Sequence, residues 1–169
     1  VKFLPSINIL IDGKNLTINN NQWKKNIGYM SQHTYIFDDT IKRNITLDKL
    51  ADNEDKIKEV LRLSCLDEIF DGSELSVDSD LGEYGSKLSI GQIQRIGIAR
   101  AIYKDPKILI LDEATSALDE KTEKKLIENL IPYCQKKGIT IILISHRIAP
   151  LKYCNKVYDL EKKEVLEKN

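Results

Sequence analysis

The chain has 169 residues, 41% of them apolar and 31% charged, which suits one globular domain able to bury a core and argues against disorder. Its 26 Lys and Arg balance 26 Asp and Glu, so it lacks the basic field that a nucleic-acid partner would need. No apolar run approaches the roughly 18 residues of a membrane span, so any membrane partner has to be another segment or subunit.

In chain order, "INILIDGKNLT" runs into Asp12 and Gly13 and reads as a strand followed by a turn. It has little chain before it to pair with, which suggests a truncated start. "NIGYMSQHTYIF" is a short strand ending near Ser31 and Gln32. From about residue 40 to 103 the pattern becomes helical. "DNEDKIKEVLRLSCL" places Ile57, Val60, Leu61 and Ser64 at helical spacing behind Asp52 or Asn53 as a cap. A glycine-bearing loop, "DSDLGEYGSK", leads into "LSIGQIQR". There Ser89 is placed to cap a helix beginning near Ile90, with Ile93, Ile96 and residues 99–102 as its packing face.

"KILILDE" is an apolar strand ending in two carboxylates. "EKTEKKLIENLIPYCQKKG" is an amphipathic helix that turns Leu126, Ile127, Leu130 and Ile131 inward and stops at Gly138; Pro132 is expected to kink or shorten it. "ITIILISH" is a second apolar strand. Both strands read as buried on both faces and joined by a crossover helix, the βαβ unit of a parallel sheet, in which ligands collect beyond the carboxyl ends of the strands. Asp112, Glu113 and His146 lie at such ends. "KVYDLEKKEVLE" alternates as a hairpin turning at Lys162 and Lys163. Cys65, Cys134 and Cys154 are odd in number and far apart, which fits neither a disulfide framework nor a metal knuckle and points to a reducing compartment.

Several of these residues suit chemistry. Adjacent carboxylates on an extended chain point to opposite faces and can take different tasks. Asp112 could hold Mg²⁺ while Glu113 orients and deprotonates a water. His146, at the end of the neighbouring strand, could hydrogen-bond a terminal phosphate, and Gln32 could bind a metal or water through its amide oxygen. His33 reads as a loop residue. Ser89 at a helix start leaves N–H groups for an anion, and Gly91 would let a phosphate approach the backbone.

Together these stretches resemble the nucleotide-binding domain of ABC (ATP-binding cassette) proteins. "LSIGQIQR" is similar to its signature motif, "ILILDE" to Walker B, "SALD" to the D-loop, "SH" at 145 and 146 to the switch histidine, and "MSQ" to the Q-loop. "YIFDDTIKRNI" and "DLGEYGSKLS" resemble the exporter branch, with Asp80, Gly82, Glu83 and Gly85 matching and Tyr84 in place of a usual arginine. Ile90 stands where the first signature glycine is usual, while Gly91 is kept. No G-x-x-x-x-G-K-[ST] phosphate loop (Walker A) occurs in the 169 residues, and "GEYGSK" does not match its spacing. The family places that loop upstream of Val1.

The resemblance implies an α/β fold: a P-loop NTPase-like parallel sheet, truncated at its N-terminal part, with an inserted helical subdomain. The core would be divided between 1–37 and 104–169, with residues 38–103 as the helical subdomain carrying the signature. Two such domains, here expected to be identical, would meet head to tail over two ATP molecules. Asp112 and Gln32 would attend Mg²⁺, Glu113 would act as base on water, and His146 would contact the γ-phosphate. Ser89, Gly91 and Gln92 would bind the partner's ATP, and Asp119 would link the two sites. The transmembrane domains of the same transporter would be the other partners, placing this segment at the cytoplasmic face of a membrane. The 169-residue polypeptide alone is expected to be inactive as an ATPase. A soluble, non-transport ABC ATPase and a non-catalytic half of an asymmetric pair are the alternative readings.

Overall fold

The computed structural model describes residues 10–11, 14–15, 21–48, 50, 53–70 and 75–167. The expected turn at Asp12 and Gly13 and the candidate cap Asp52 lie outside them. Strands β1 (Leu10–Ile11) and β2 (Lys14–Asn15) pair antiparallel, Leu10 beside Asn15 and Ile11 beside Lys14. A short helix α1 (Asn21–Lys24) then leads into β3 (Ile27–Met30).

Three parallel strands carry the architecture. β4 (Ile108–Asp112) lies between β3 and β5 (Thr140–Ile144), with Gly28 beside Leu109 and Leu109 beside Ile141. The crossover from β4 to β5 is α5 (Glu120–Lys137), and β3 connects to β4 through the helical region. That region holds α2 (Ile41–Thr46), α3 (Glu54–Leu63), two single 3₁₀ turns at Asp67–Ile69 and Glu83–Gly85, and α4 (Ile90–Tyr103). A short α6 (Ile148–Leu151) follows β5, and β6 (Lys156–Asp159) and β7 (Glu164–Glu167) form the terminal hairpin.

Local chemistry explains the element ends. Asn53 caps α3 by accepting from the Lys56 N–H at 3.0 Å. Ser89 and Gln92 form a reciprocal capping box at α4. Gly138 ends α5 in the left-handed region at φ +67°, its N–H returning to Cys134 and Gln135 carbonyls. The hairpin turn owes less to its lysines than to Asp159, whose carboxylate accepts from the N–H groups of Glu161 and Lys162 at 3.0 Å each.

Two expectations are corrected. Pro132 does not shorten α5, which runs unbroken to Lys137. It sits on the exposed side, as does Glu128 one turn earlier, so the carbonyl that loses its N–H partner belongs to a turn that water can reach. The sheet is also not buried on both faces among the described residues. Met30, Leu109 and Leu111 are fully covered on one face, whereas Tyr29, Ile142 and Ile144 on the other are about half exposed. Helices α4 and α5 pack against the first face.

The core sits under that covered face. Ile96, Ile98 and Ile102 of α4 and Leu126 and Leu130 of α5 meet Leu109 and Leu111, and the cluster continues through Ile45, Val60, Leu61, Leu66 and Leu81 into the helical region. Asn44 joins the two parts. Fully buried, it accepts from the Phe37 N–H and donates to the Phe37 and Thr40 carbonyls, while the Arg100 Nε donates to its carbonyl at 2.7 Å. Burial holds the Arg100 guanidinium below its ordinary pKa. Burial likewise pushes the Cys134 thiol up to about 11 and raises that of Cys65, so both are packing residues and poor nucleophiles.

Candidate functional site

The three parallel strands end at Met30, Asp112 and Ile144, and the chemistry lies one or two residues beyond. Gln32 follows β3, Glu113 follows β4 and His146 follows β5, so in-register pairing brings three distant stretches of sequence to one edge. The Gln32 Nε2 donates to Glu113 Oε2 at 2.8 Å, and His146 Nε2 lies 3.1 Å from Glu113 Oε1. A carboxylate held through both oxygens has its plane fixed.

Glu113 leaves the strand in the left-handed region, at φ +49°, while its N–H still bonds the Ile144 carbonyl at 3.0 Å. Such a conformation costs a non-glycine residue on the order of 1–3 kcal/mol and collects at functional sites. The two neighbouring carboxylates have different partners. Asp112 accepts from the Tyr29 hydroxyl at 3.0 Å, and that hydrogen bond, followed by burial and the carboxylate's charge, raises the tyrosine pKa. The Glu113 side chain is 24% exposed and that of His146 89%, leaving the carboxylate half enclosed and the imidazole open to a ligand.

Among the described residues no cluster of three or more His, Cys, Asp or Glu could hold a metal. The hard oxygens of Asp112 and Gln32 fit a cation that takes one or two protein ligands and fills the rest of its shell with phosphate and water, as Mg²⁺ does. The bond from Gln32 runs to Glu113; with its NH₂ so engaged, the amide oxygen remains for a cation.

A second set of candidate residues lies at the start of α4. Ser89 Oγ accepts from the Gln92 N–H at 3.2 Å, and Gln92 Oε1 accepts from the Ser89 N–H at 2.8 Å. The N–H groups of Ile90 and Gly91 belong to those that a helix start leaves without intrahelical partners, and the Ile90 side chain is 70% exposed. Gly91 also has a packing reason. A Cβ there would meet Leu118 Cδ2 at 3.1 Å and the Ala117 carbonyl oxygen at 3.2 Å, so a glycine lets the loop after β4 close on the helix.

Asp119 caps α5, accepting from the N–H groups of Lys121 and Thr122 and from the Thr122 hydroxyl at 2.7 Å. The Thr122 N–H, then its hydroxyl, hold the carboxyl below the usual 3.8. A depressed folded-state pKa makes the carboxylate stabilising above the unfolded pKa, and that contribution is lost as pH falls through the folded value. Asp119→Ala is therefore expected to lower the melting temperature at neutral pH, with the difference shrinking as pH falls below the ordinary carboxyl value of 3.8. A gap that stays constant or widens as the solution is acidified would contradict this.

His33 is an exposed loop residue whose carbonyl accepts from Ser31. The sequence reading passed over Gln94 and Arg147. Gln94, 4% exposed, donates to Ser116 Oγ at 2.9 Å and accepts from the Ala117 N–H at 3.1 Å. Its place in "GQIQR" was a signal, since a glutamine among buried helix positions needs polar partners.

The parallel α/β sheet, with its acidic strand end faced by an amide and an imidazole from the flanking strands, places these groups where open α/β sheets bind their ligands. Residues 6–116 match the family model described as ABC transporter. The leukotoxin translocation ATP-binding protein LktB of Pasteurella haemolytica-like sp. (strain 5943B) is 36% identical over 94% of this chain and 22% of its own length. A putative export ATP-binding/permease protein of Rickettsia felis is 37% identical over 91% of this chain and 27% of its own. The solved structure of a bacterial Atm1-family ABC exporter with ATP bound superposes with a TM-score of 0.78 at 29% identity, covering 88% of this chain and 26% of the exporter chain. The chain belongs to the ABC transporter family. It spans about a fifth to a quarter of the length of these relatives, and no helix among the described residues is long and apolar enough to cross a membrane.

Proposed function

We propose that this chain supplies the hydrolytic strand ends and the signature surface of an ABC exporter ATPase, which couples ATP hydrolysis to export across a membrane from its cytoplasmic face. The observation that carries the reading is Glu113, gripped by Gln32 and His146 beyond the carboxyl ends of three parallel strands. That the relatives include a putative export ATP-binding/permease protein supports the exporter branch.

Asp112 and Gln32 would hold Mg²⁺, which when bound supplies charge neutralisation on the phosphate oxygens. Glu113 accepts the proton of the attacking water, its orientation set by its two hydrogen-bond partners. His146, with an exposed ring, donates to the terminal phosphate oxygen when it leaves Glu113. Ser89, Gly91 and Gln92 form a surface that closes over nucleotide held by a second copy, arranged head to tail. Asp119, at the start of α5, faces that junction. Phosphoryl transfer of this kind depends on positioning and charge, which suits a site of fixed side chains.

The test is Mg²⁺-dependent ATP hydrolysis by the full-length protein. His146→Ala is expected to lower turnover by roughly 10²- to 10³-fold, the usual cost of removing one transition-state donor. The 169-residue polypeptide, which contains no phosphate-loop motif, is expected to show no hydrolysis above background. Undiminished turnover in the His146 variant would overturn its assignment, and absent turnover in the unaltered full-length protein would overturn the function.

A further inference from the structure

The loop joining β4 to α5, residues 113–119, is gripped from two sides by residues to which the mechanism above gives no task. On one side Gln94 of the signature helix holds Ser116 and Ala117. On the other, Arg147, the residue after the switch histidine, reaches back with one terminal nitrogen. Its Nη1 lies 3.3 Å from the Thr115 carbonyl oxygen, 3.2 Å from that of Leu118 and 3.2 Å from Glu123 Oε1. The Glu123 side chain is only 4% exposed, and its N–H bonds the Asp119 carbonyl at 2.9 Å.

The loop also closes on itself, with the Ser116 N–H on the Glu113 carbonyl at 3.2 Å and the Leu118 N–H on the Thr115 carbonyl at 3.1 Å. Arg147 is braced in turn. Its N–H donates to Ser145 Oγ at 2.9 Å, and that hydroxyl donates to the Arg147 carbonyl at 3.1 Å, which pins the backbone on both sides of His146.

We propose that Arg147 is a positioning residue that clamps the 115–118 turn to the switch histidine, so that His146, Glu113 and the start of α5 move as one unit. This rests on the hydrolytic role proposed for Glu113. An arginine suits the task because its guanidinium stays charged, and a turn carbonyl paired to such a group is held more firmly than by water. The surface facing a second subunit at Asp119 would then report, through the Thr115 and Leu118 carbonyls, on where His146 stands.

Removing Arg147 alone would strand the buried Glu123 carboxylate and could unfold the protein, so the comparison is made in a background without that charge. Glu123→Gln keeps Arg147 and its two carbonyl bonds; Glu123→Gln with Arg147→Met removes them without burying a charge. Both are made in the full-length protein and read in two ways, by ATPase kinetics and by amide hydrogen exchange at Ser116, Ala117 and Leu118. Glu123→Gln is expected to stay within about threefold of the unaltered kcat. The double variant is expected to lose at least about tenfold in kcat with little change in the KM for ATP, as befits a misplaced reacting group. Exchange at Leu118 should rise by at least about tenfold, with the same melting temperature as Glu123→Gln.

A double variant that turns over as fast as Glu123→Gln, or whose loop amides stay equally protected, overturns the clamp. If the unaltered protein shows no turnover that depends on Glu113, the functional reading fails. Exchange then decides the clamp by itself: faster exchange in the double variant upholds it and unchanged protection overturns it.

Discussion

Replacing Glu113 with Gln in the full-length protein is expected to lower steady-state ATP hydrolysis by on the order of 10²- to 10⁴-fold, the range that a positioned general base contributes. The amide keeps the size of the side chain and an oxygen to accept from Gln32 or His146, whose atoms lie 2.8 and 3.1 Å from the two carboxylate oxygens. It cannot take a proton from water. Binding should survive, because no group assigned to the phosphates or to the cation is altered, so the loss is expected in kcat with the KM for ATP nearly unchanged. A parallel rise in KM would place Glu113 in nucleotide binding instead. The left-handed backbone at Glu113, φ +49°, makes the exchange conservative in stability as well, since both side chains bear the same strain. A melting temperature close to that of the unaltered protein is the control.

Gly28→Val is expected to have the largest effect on the fold. A Cβ at residue 28 would lie 2.4 Å from the Ala101 carbonyl oxygen and 3.0 Å from Pro106 Cγ. Backbone and a proline ring cannot swing aside as a flexible side chain can, so β3 would have to leave α4. The cost should lie at or above the upper end of the overpacking range, about 3 kcal/mol or more. For a domain of this size that lowers the melting temperature by about 6–12 °C or prevents folding. Gly138→Ala is the contrast. No atom lies within 4 Å of its added methyl, and only the left-handed φ of +67° opposes it, so a loss of roughly 1 kcal/mol is expected. Gly28 has no left-handed φ to demand a glycine, so an effect no larger than that of Gly138→Ala would contradict the close approach of strand and helix as its requirement.

These two glycines also mark how far the sequence could be read. Gly138 followed an amphipathic helix with lysines in its last turn, a stop signal made of adjacent residues, and α5 ends there. Ser89 and Gln92 likewise form a local pair, three residues apart, and the capping box is formed. Gly28 depends on Ala101, far along the chain, and nothing near residue 28 announces that contact. Pro132 argued for a break, but the exposure that makes it tolerable is set by tertiary packing.

The site divides in the same way. Motif order pointed to Glu113, His146 and Gln32, and strand register brings them together because each stands just past a strand of the same sheet. The left-handed turn at Glu113, the second task of Gly91 in admitting Ala117 and Leu118, and the reach of Arg147 back to Thr115 and Leu118 come from the path of one loop. They carry no local signature. The uncovered face of Tyr29, Ile142 and Ile144 was likewise invisible, since apolar strand residues read the same whether one face or both are covered.

The most direct measurement is the amount of Mg²⁺-ATP occluded by the full-length Glu113→Gln protein, with and without Ser89→Arg on the same chain. The arrangement proposed here predicts one occluded nucleotide per copy of the chain, dependent on Mg²⁺, and its loss when arginine crowds the start of α4. Equal nucleotide retention with and without Ser89→Arg would contradict a signature surface that closes over ATP.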